Sequence, residues 1–445
     1  MPLSRRATAG DGRRASILTR VEVRPMLDAI VIGAGQAGLG VGWHLARRGV
    51  PHVILERGRV GETWRTQRWD SFALNTPSWM NRMPGESVDV QQPRDGFLGR
   101  DAWVAHLEGY AAAAADPVRT GVEVTRVESR PDGTFRVHAL VGASTPETLE
   151  ARSVVIAAGS QRVPRIPRIA DALPPATPSI HTAHYVSPAG SPPGAVLVVG
   201  SGQSGVQIAE ELVLAGRTVH LSTSRVARIR RRYRGRDTLE WLVPAGFWDQ
   251  RVESLPDPSL RLAPQPLTSG VGRYGHTVSL QWLESLGVRL VGHLREVAGA
   301  RLSFDDDLGA NIRFADDRAA EFDRALADGV AAQGIDGTLP PVEPDPANDP
   351  HPDPGSIHSP ESLDLDDAGV GVVIWSTGFG GRFDWLPPEI LDERGVPRHD
   401  GVSTPIPGLY VIGFPWLTKR KSGIILGIDE DAHTLAERLA GRLAD

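Results

Sequence analysis

One pattern, present twice, constrains this chain more than anything else in it. Leu27-Asp28-Ala29-Ile30-Val31-Ile32 has the make-up of a buried parallel strand, and Gly33-Ala34-Gly35-Gln36-Ala37-Gly38 follows directly. A helical stretch then runs through Arg48, and residues 51–56 form a second strand ending in Glu56. The order recurs at 195–199, with Gly200-Ser201-Gly202-Gln203-Ser204-Gly205, a helix to Ala215 and a strand over 218–221. In such a turn the first glycine makes the bend and the second admits a pyrophosphate close to the backbone. The third lets helix and strand pack tightly, and the helix N-terminus holds the anion. One G-x-G-x-x-G is a weak signal; two, each between an apolar strand and an amphipathic helix, specify two dinucleotide-binding units.

The expected fold is therefore α/β, with two Rossmann-like domains and the second inserted in the first. Apolar strands that end in small residues at 153–159, 372–378 and 408–413 mark further contacts with these domains, and a last helix is expected over about 429–443. The expected organisation is a flexible Arg-rich tail over 1–26 and the first part of an FAD domain over 27–190. An NADPH domain with substrate-cleft segments occupies 191–340, a Pro- and Asp-rich linker 341–364, and the rest of the FAD domain 365–445. Residues 222–340 are too irregular for element assignments.

Composition removes several functions. With 445 residues and a formal net charge of −6, bulk electrostatics do not favour nucleic acid. No apolar run is long enough to span a bilayer, and no secretory signal pattern opens the chain, so a cytoplasmic protein without a membrane partner is expected. Cysteine is absent, which excludes disulfides, thiolate nucleophiles and Cys-ligated metals; no metal site is expected. Of 48 basic residues only Lys419 and Lys421 are lysine.

The two turns address different nucleotides. A ribose-binding acid is expected about 20 residues past the glycines. Glu56 fits that place in the first unit, as for a free 2′-hydroxyl in FAD. The second unit has Ser222, Thr223, Ser224 and Arg225 there, and hydroxyls with a guanidinium suit a 2′-phosphate, hence NADPH. Arg225 opens a run with Arg228, Arg230, Arg231, Arg232, Arg234 and Arg236 that reads mostly as a solvated basic surface.

A flavin reduced by NADPH can deliver electrons to a thiol pair, to a quinone or protein, or to oxygen. The absence of cysteine closes the first route, and oxygen activation leads the remainder. The chain resembles the class B flavin-dependent monooxygenases over nearly everything from Leu27 onward. Gly61-Glu62-Thr63-Trp64-Arg65 is similar to the family's G-G-T-W-R, Leu74-Asn75-Thr76-Pro77 to the segment that lays an Asn beside the flavin, and Ser376-Thr377-Gly378 to its A-T-G link. His181 and Tyr185 match half of the family's F-x-G-x-x-x-H-x-x-x-F/Y fingerprint, where Pro175 and Thr177 replace the Phe and Gly.

The resemblance implies FAD, NADPH and oxygen as reactants, with a C4a-hydroperoxyflavin as oxygen donor. Trp64, Arg65 and Asn75 are then expected at the flavin, and His181, Tyr185 and 376–378 between the domains. The Lys419–Lys421 segment is expected near the flavin as well. Arg68, Arg273 and Arg289 are candidate carboxylate ligands. Together these favour hydroxylation of the nitrogen of a small polar amine or amino acid. A weaker resemblance to L-aspartate N-monooxygenases suggests nitrosuccinate formation in natural-product biosynthesis. S-oxygenation, Baeyer–Villiger oxidation and electron transfer to a partner protein stay open, and a homo-oligomer is expected.

Overall fold

The computed structural model describes residues 26–87, 94–114, 117–272 and 275–444. The tail expected over 1–26 lies, except for Met26, outside them. Both glycine turns sit at the carboxyl ends of parallel strands. In the first sheet the strands Val118–Arg119, His52–Leu55, Leu27–Ile32 and the end of Thr145–Ile156 run parallel in that order, with Leu409–Val411 beyond. The long strand Thr145–Ile156 leaves this parallel region at its start and joins Phe135–Val141 and Val122–Ser129 in an antiparallel meander. Ile30, Val31, Val154 and Val155 are fully buried, as expected of strands covered on both faces.

The second sheet is parallel throughout: Arg289–Val291, Val219–Ser222, Ala195–Val199, Val370–Trp375 and Ser179–His181. This corrects the expected boundaries at 190 and 365. Residues 179–181 and 370–375 flank the second unit's own strands, so the chain enters that sheet before 190 and leaves it after 375. A two-stranded antiparallel ribbon, Val163–Pro164 with Phe379–Gly380, carries both crossings between the domains.

Two further stretches take their form from tertiary contacts. The irregular region 222–340 contains a 24-residue helix, Leu308–Ala331, whose buried face carries Ile312, Ala315, Ala319, Leu326 and Val330. The Pro- and Asp-rich stretch is a packed strap, not a linker. Asp345 accepts a hydrogen bond from Thr277, the Asn348 carbonyl accepts one from Arg228, and Ser362–Asp364 joins the meander of Leu294–Ala298 and Arg301–Phe304. Its acids and carbonyls satisfy buried donors that water cannot reach.

Candidate cofactor cleft

The two turns are built alike, atom for atom. Gly33 (φ +112°) and Gly200 (φ +105°) adopt conformations that other residues rarely reach. A Cβ on Gly33 would stand 2.5 Å from the Ala157 carbonyl oxygen, and one on Gly200 2.7 Å from that of Ser376. A Cβ on Gly38 or Gly205 would lie 1.9 Å from the carbonyl oxygen of Gly33 or Gly200. At Gly35 and Gly202 a Cβ would meet no protein atom within 4 Å. These middle glycines open the helices Gln36–Arg47 and Gln203–Leu214, neither of which has a side-chain cap or an acid in its first turn. Each helix start thus presents free N–H groups to open space, the arrangement that receives a phosphate.

The adjoining strand ends differ. Glu56 is buried, and its carboxylate accepts hydrogen bonds from the Ala34 and Gly58 N–H groups, both at 2.8 Å. That holds an acceptor over the first turn where an adenosine ribose fits. In the second unit, Ser222 and Thr223 are buried and donate to the Gly292 and Val291 carbonyls, both at 2.9 Å. Their hydroxyls serve the sheet edge, which corrects their expected use as phosphate ligands. The Ser224 N–H is held by Ser201 Oγ at 2.9 Å, and Arg225 is exposed, with no hydrogen bond or ion pair among the described residues. Arg225 alone of the expected set offers a free charged donor there.

Three further arginines of the run, Arg228, Arg230 and Arg231, are held inside the protein, whereas Arg236 is exposed. Arg228 is buried against Asp316 (2.5 Å), and Arg230 makes two 2.9 Å bonds to Asp323. Arg231 is buried, pairs with Asp237, and donates to the carbonyls of Asn75 (3.0 Å) and Thr268 (3.2 Å). Asp316 and Asp323 lie two turns apart on the long helix, so its polar face neutralises Arg228 and Arg230.

His181, Tyr185 and residues 376–378 lie where the second sheet meets the crossing ribbon and the loop of the first unit. His181 is fully buried; its Nε2–H donates to the Gly378 carbonyl (2.9 Å), and Nδ1 accepts from the Ala183 N–H (3.1 Å). Burial lowers its pKa, and these partners require the neutral ring. Ser376 N–H bonds the Val199 carbonyl, and Thr377 Oγ1 bonds that of Arg165. Tyr185 lies against Trp69 and donates to Glu211 (3.0 Å), which also accepts from Ser71 (2.6 Å).

A cleft opens where the loop after the first unit's second strand meets the second domain, lined by Trp69, Phe72, Asn75, Phe97, Gln207 and Gly270 among others. Asn75 Oδ1 accepts from Gln207 Nε2 at 3.1 Å. Trp64 Nε1 donates to Gln36 (3.0 Å) at the start of the first helix, whereas Arg65 turns away to pair with Glu108 (2.5 Å) and is not free for a cofactor.

The three substrate arginines separate. Arg68 lies over the rings of Trp64 (5.2 Å), Phe72 (5.5 Å) and Phe379 (5.4 Å). Its hydrogen bond is to the Gln67 carbonyl (2.8 Å), with no carboxylate partner among the described residues. Burial pulls its pKa down to about 10, which leaves it charged at neutral pH. Arg289 begins its strand and so lies at the end of the sheet opposite the ligand crevice, which excludes it. Arg273 lies outside the described residues.

Lys419 and Lys421 are not free cations. Both pair with Asp249 (3.1 and 2.8 Å) and with Glu430, while Arg420 stacks between Phe247 (4.0 Å) and Trp416 (4.5 Å). This four-charge cluster fastens the 247–250 segment to the start of the last helix, Ile425–Ala444. Its neutrality corrects the expected positive charge beside the flavin.

Gln203, Gln207 and Arg231 were not among the expected site residues. Their signal was present: Gln203 and Gln207 are one turn apart immediately after Gly202, on one face of the helix. Gln36 occupies the matching place after Gly35.

Two glycine turns, each opening an uncapped helix at the end of a parallel strand, are the pattern of an oxidoreductase fold with two dinucleotide-binding units. The chain belongs to the pyridine nucleotide-disulphide oxidoreductase family, which matches residues 30–254. It is 28% identical to the uncharacterized oxidoreductase CzcO-like of Geobacillus kaustophilus, over 92% of this chain and 97% of that one. It is 34% identical to the indole-3-pyruvate monooxygenase YUCCA1 of Oryza sativa, over 42% of this chain and 45% of that one. A flavin-containing monooxygenase from Stenotrophomonas maltophilia shares the fold, with TM-score 0.61 and 19% identity over 94% of this chain and 100% of that one. The bacillithiol disulfide reductase of Bacillus cereus does so almost equally, at TM-score 0.60 and 16% identity over the same shares. The same fold thus occurs in a protein named for oxygen chemistry and in one named for thiol chemistry, and the present chain contains no cysteine. The family match and these relatives support the class B flavin-dependent monooxygenase resemblance drawn from the motifs.

Proposed function

We propose that this protein is an FAD- and NADPH-dependent monooxygenase that oxygenates the nitrogen of a small amine bearing a carboxylate, with L-aspartate as one candidate. The observation that carries the substrate class is Arg68. An aromatic-ringed guanidinium with no anion of its own, beside the loop that carries Asn75, is suited to receive a ligand carboxylate.

The residues present fit both cofactors. Gly35 and the first helix start would receive the FAD pyrophosphate and Glu56 its ribose. Gly202 and the second helix start would receive the NADPH pyrophosphate and Arg225 its 2′-phosphate. Bound FAD, once reduced by NADPH, supplies the chemistry that activates oxygen. The chain's own part is to position and to exclude water. Trp69, Phe72 and Phe97 wall the cleft, Asn75 offers its amide there, and Arg68 fixes the carboxylate end of the substrate.

The test is product-coupled NADPH oxidation across amino acids and their decarboxylated amines, with products read by mass spectrometry. Arg68→Gln should lower kcat/KM for the acid by roughly 10- to 150-fold, the worth of one charge-assisted contact, and leave the KM for NADPH unchanged. Equal turnover of an amino acid and its decarboxylated amine would remove the carboxylate from the reading. Indole-3-pyruvate, named in the YUCCA relatives, belongs in the screen because it offers Arg68 the same carboxylate. NADPH oxidation that depends on an added electron-accepting protein, with no oxygenated product, would establish the reductase alternative instead.

A further inference from the structure

We infer that Gln207, on the second domain's helix, is a positioning residue that sets which end of the Asn75 amide faces the cleft. The inference rests on the reading above that Asn75 lies beside the flavin.

The two amide atoms of an Asn or Gln are told apart by their partners, and here the partners decide. Gln207 Nε2 lies 3.2 Å from the Ser269 carbonyl oxygen and 3.3 Å from that of Gly270. Backbone carbonyls only accept, so the atom facing them is the NH2 group. The same group reaches Asn75 at 3.1 Å, so the Asn75 atom it meets is the carbonyl oxygen Oδ1. Asn75 Nδ2 then has no partner among the described residues and is left as a donor on the side of the cleft.

The carbonyls that orient Gln207 are themselves fixed. Gln203, the first residue after Gly202, donates to the Ser269 carbonyl and accepts at Oε1 from the Thr268 N–H (2.8 Å) and hydroxyl (3.0 Å). Arg231 binds the Thr268 and Asn75 carbonyls together. One helix face therefore connects the pyrophosphate turn of the second domain to a side chain of the first. Asn75 is held as a donor only while the two domains are docked in this way. A donor, rather than an acceptor, is what a developing negative charge at the reduced flavin or on oxygen requires.

The experiment uses the purified FAD-loaded enzyme and NADP⁺ as the probe. The variants are Gln207→Leu, which removes the donor, Gln207→Glu, which is near-isosteric and when ionised carries no donor, and Asn75→Ala. The first readout is the change in the flavin absorption spectrum on NADP⁺ titration; the second is the rate of reoxidation of the reduced flavin by oxygen. Both Gln207 variants should keep FAD content and NADP⁺ affinity, lose the spectral change as Asn75→Ala does, and alter reoxidation by roughly 2- to 10-fold, the worth of one neutral hydrogen bond. Gln207→Leu and Asn75→Ala should be non-additive in the double variant. If Asn75→Ala alters the spectrum and folded Gln207→Glu does not, the inference is wrong and the placement of Asn75 stands. If neither alters it, the placement fails and the inference with it.

Discussion

The first and second glycine turns have nearly the same backbone and opposite electrostatics. Both place a positive-φ glycine against a neighbouring strand, a bare glycine at the helix start and a third glycine on the first one's carbonyl. Past the second strand they part. The first unit closes on a buried carboxylate, Glu56, held by two backbone donors. The second ends in two buried hydroxyls and one exposed guanidinium, Arg225. On the proposed reading the turn admits a pyrophosphate and the strand end selects the nucleotide that carries it.

The sharpest way to break this comparison is within the glycines themselves. Gly38→Ala and Gly205→Ala put a Cβ 1.9 Å from a backbone carbonyl that no side-chain motion can relieve. Destabilisation by about 3 kcal/mol or more is expected, seen as loss of soluble protein or a large fall in Tm. Gly35→Ala and Gly202→Ala meet open space, so both should fold normally. The first should lose FAD and the second NADP⁺ affinity, measured by flavin content and by titration. A fall in Tm as large as that of Gly38→Ala would show that the middle glycines serve the fold and not a ligand.

Next in size is the contrast between the strand ends. Arg225→Ala should raise the KM for NADPH by about 10- to 150-fold and leave that for NADH nearly unchanged. Glu56→Gln should weaken FAD retention without altering the preference between NADPH and NADH. Equal changes for the two reduced nucleotides in Arg225→Ala would remove that residue from the phosphate site.

A smaller effect is expected where the domains join. The folded-state pKa of His181 lies below its ordinary 6.5 because burial disfavours the charged ring. The unfolded chain therefore binds more protons over the interval between the two values, and stability rises with pH there. The contribution is complete above about 6.5 and is lost as pH falls from there toward the folded value. Tm measured from pH 7.5 to 5 should fall more steeply for the native chain than for His181→Gln, whose side chain does not titrate. Parallel curves would mean that the ring does not control the crossing.

The smallest effect is expected at the lysines. Lys419→Ala or Lys421→Ala removes one cation from a pair of cations facing a pair of anions, each partly exposed. A loss of about 1 kcal/mol or less in chemical denaturation is expected, with an unchanged rate of flavin reduction by NADPH. A change in that rate would return these residues to the flavin's neighbourhood.

Much of this was legible locally. The glycine turns, the flanking strands, Glu56 and the last helix follow from patterns a few residues long, because strand period, turn geometry and helix-end chemistry are local properties. His181 and Tyr185 stand out through the family fingerprint even with half of it replaced, and both are buried. The arginine run was not legible in this way. Arg228 and Arg230 read as surface until the helix carrying Asp316 and Asp323 and the strap carrying Asn348 are folded against them. Arg289 and Arg68 were equal candidates in sequence, and strand direction alone put one at the wrong end of a sheet.

What the sequence determined by itself is the pair of glycine turns, the different residues at the two strand ends and the absence of cysteine, since each depends on which residue types are present at short spacing or absent altogether. What only the tertiary structure decided is which charges are free. A guanidinium or hydroxyl can bind a ligand only if no neighbour has already satisfied it, and those neighbours come from distant parts of the chain. Ser222, Thr223, Arg65, Lys419 and Lys421 are engaged by the protein, whereas Arg68 and Arg225 have no acidic partner and Asn75 Nδ2 no acceptor among the described residues.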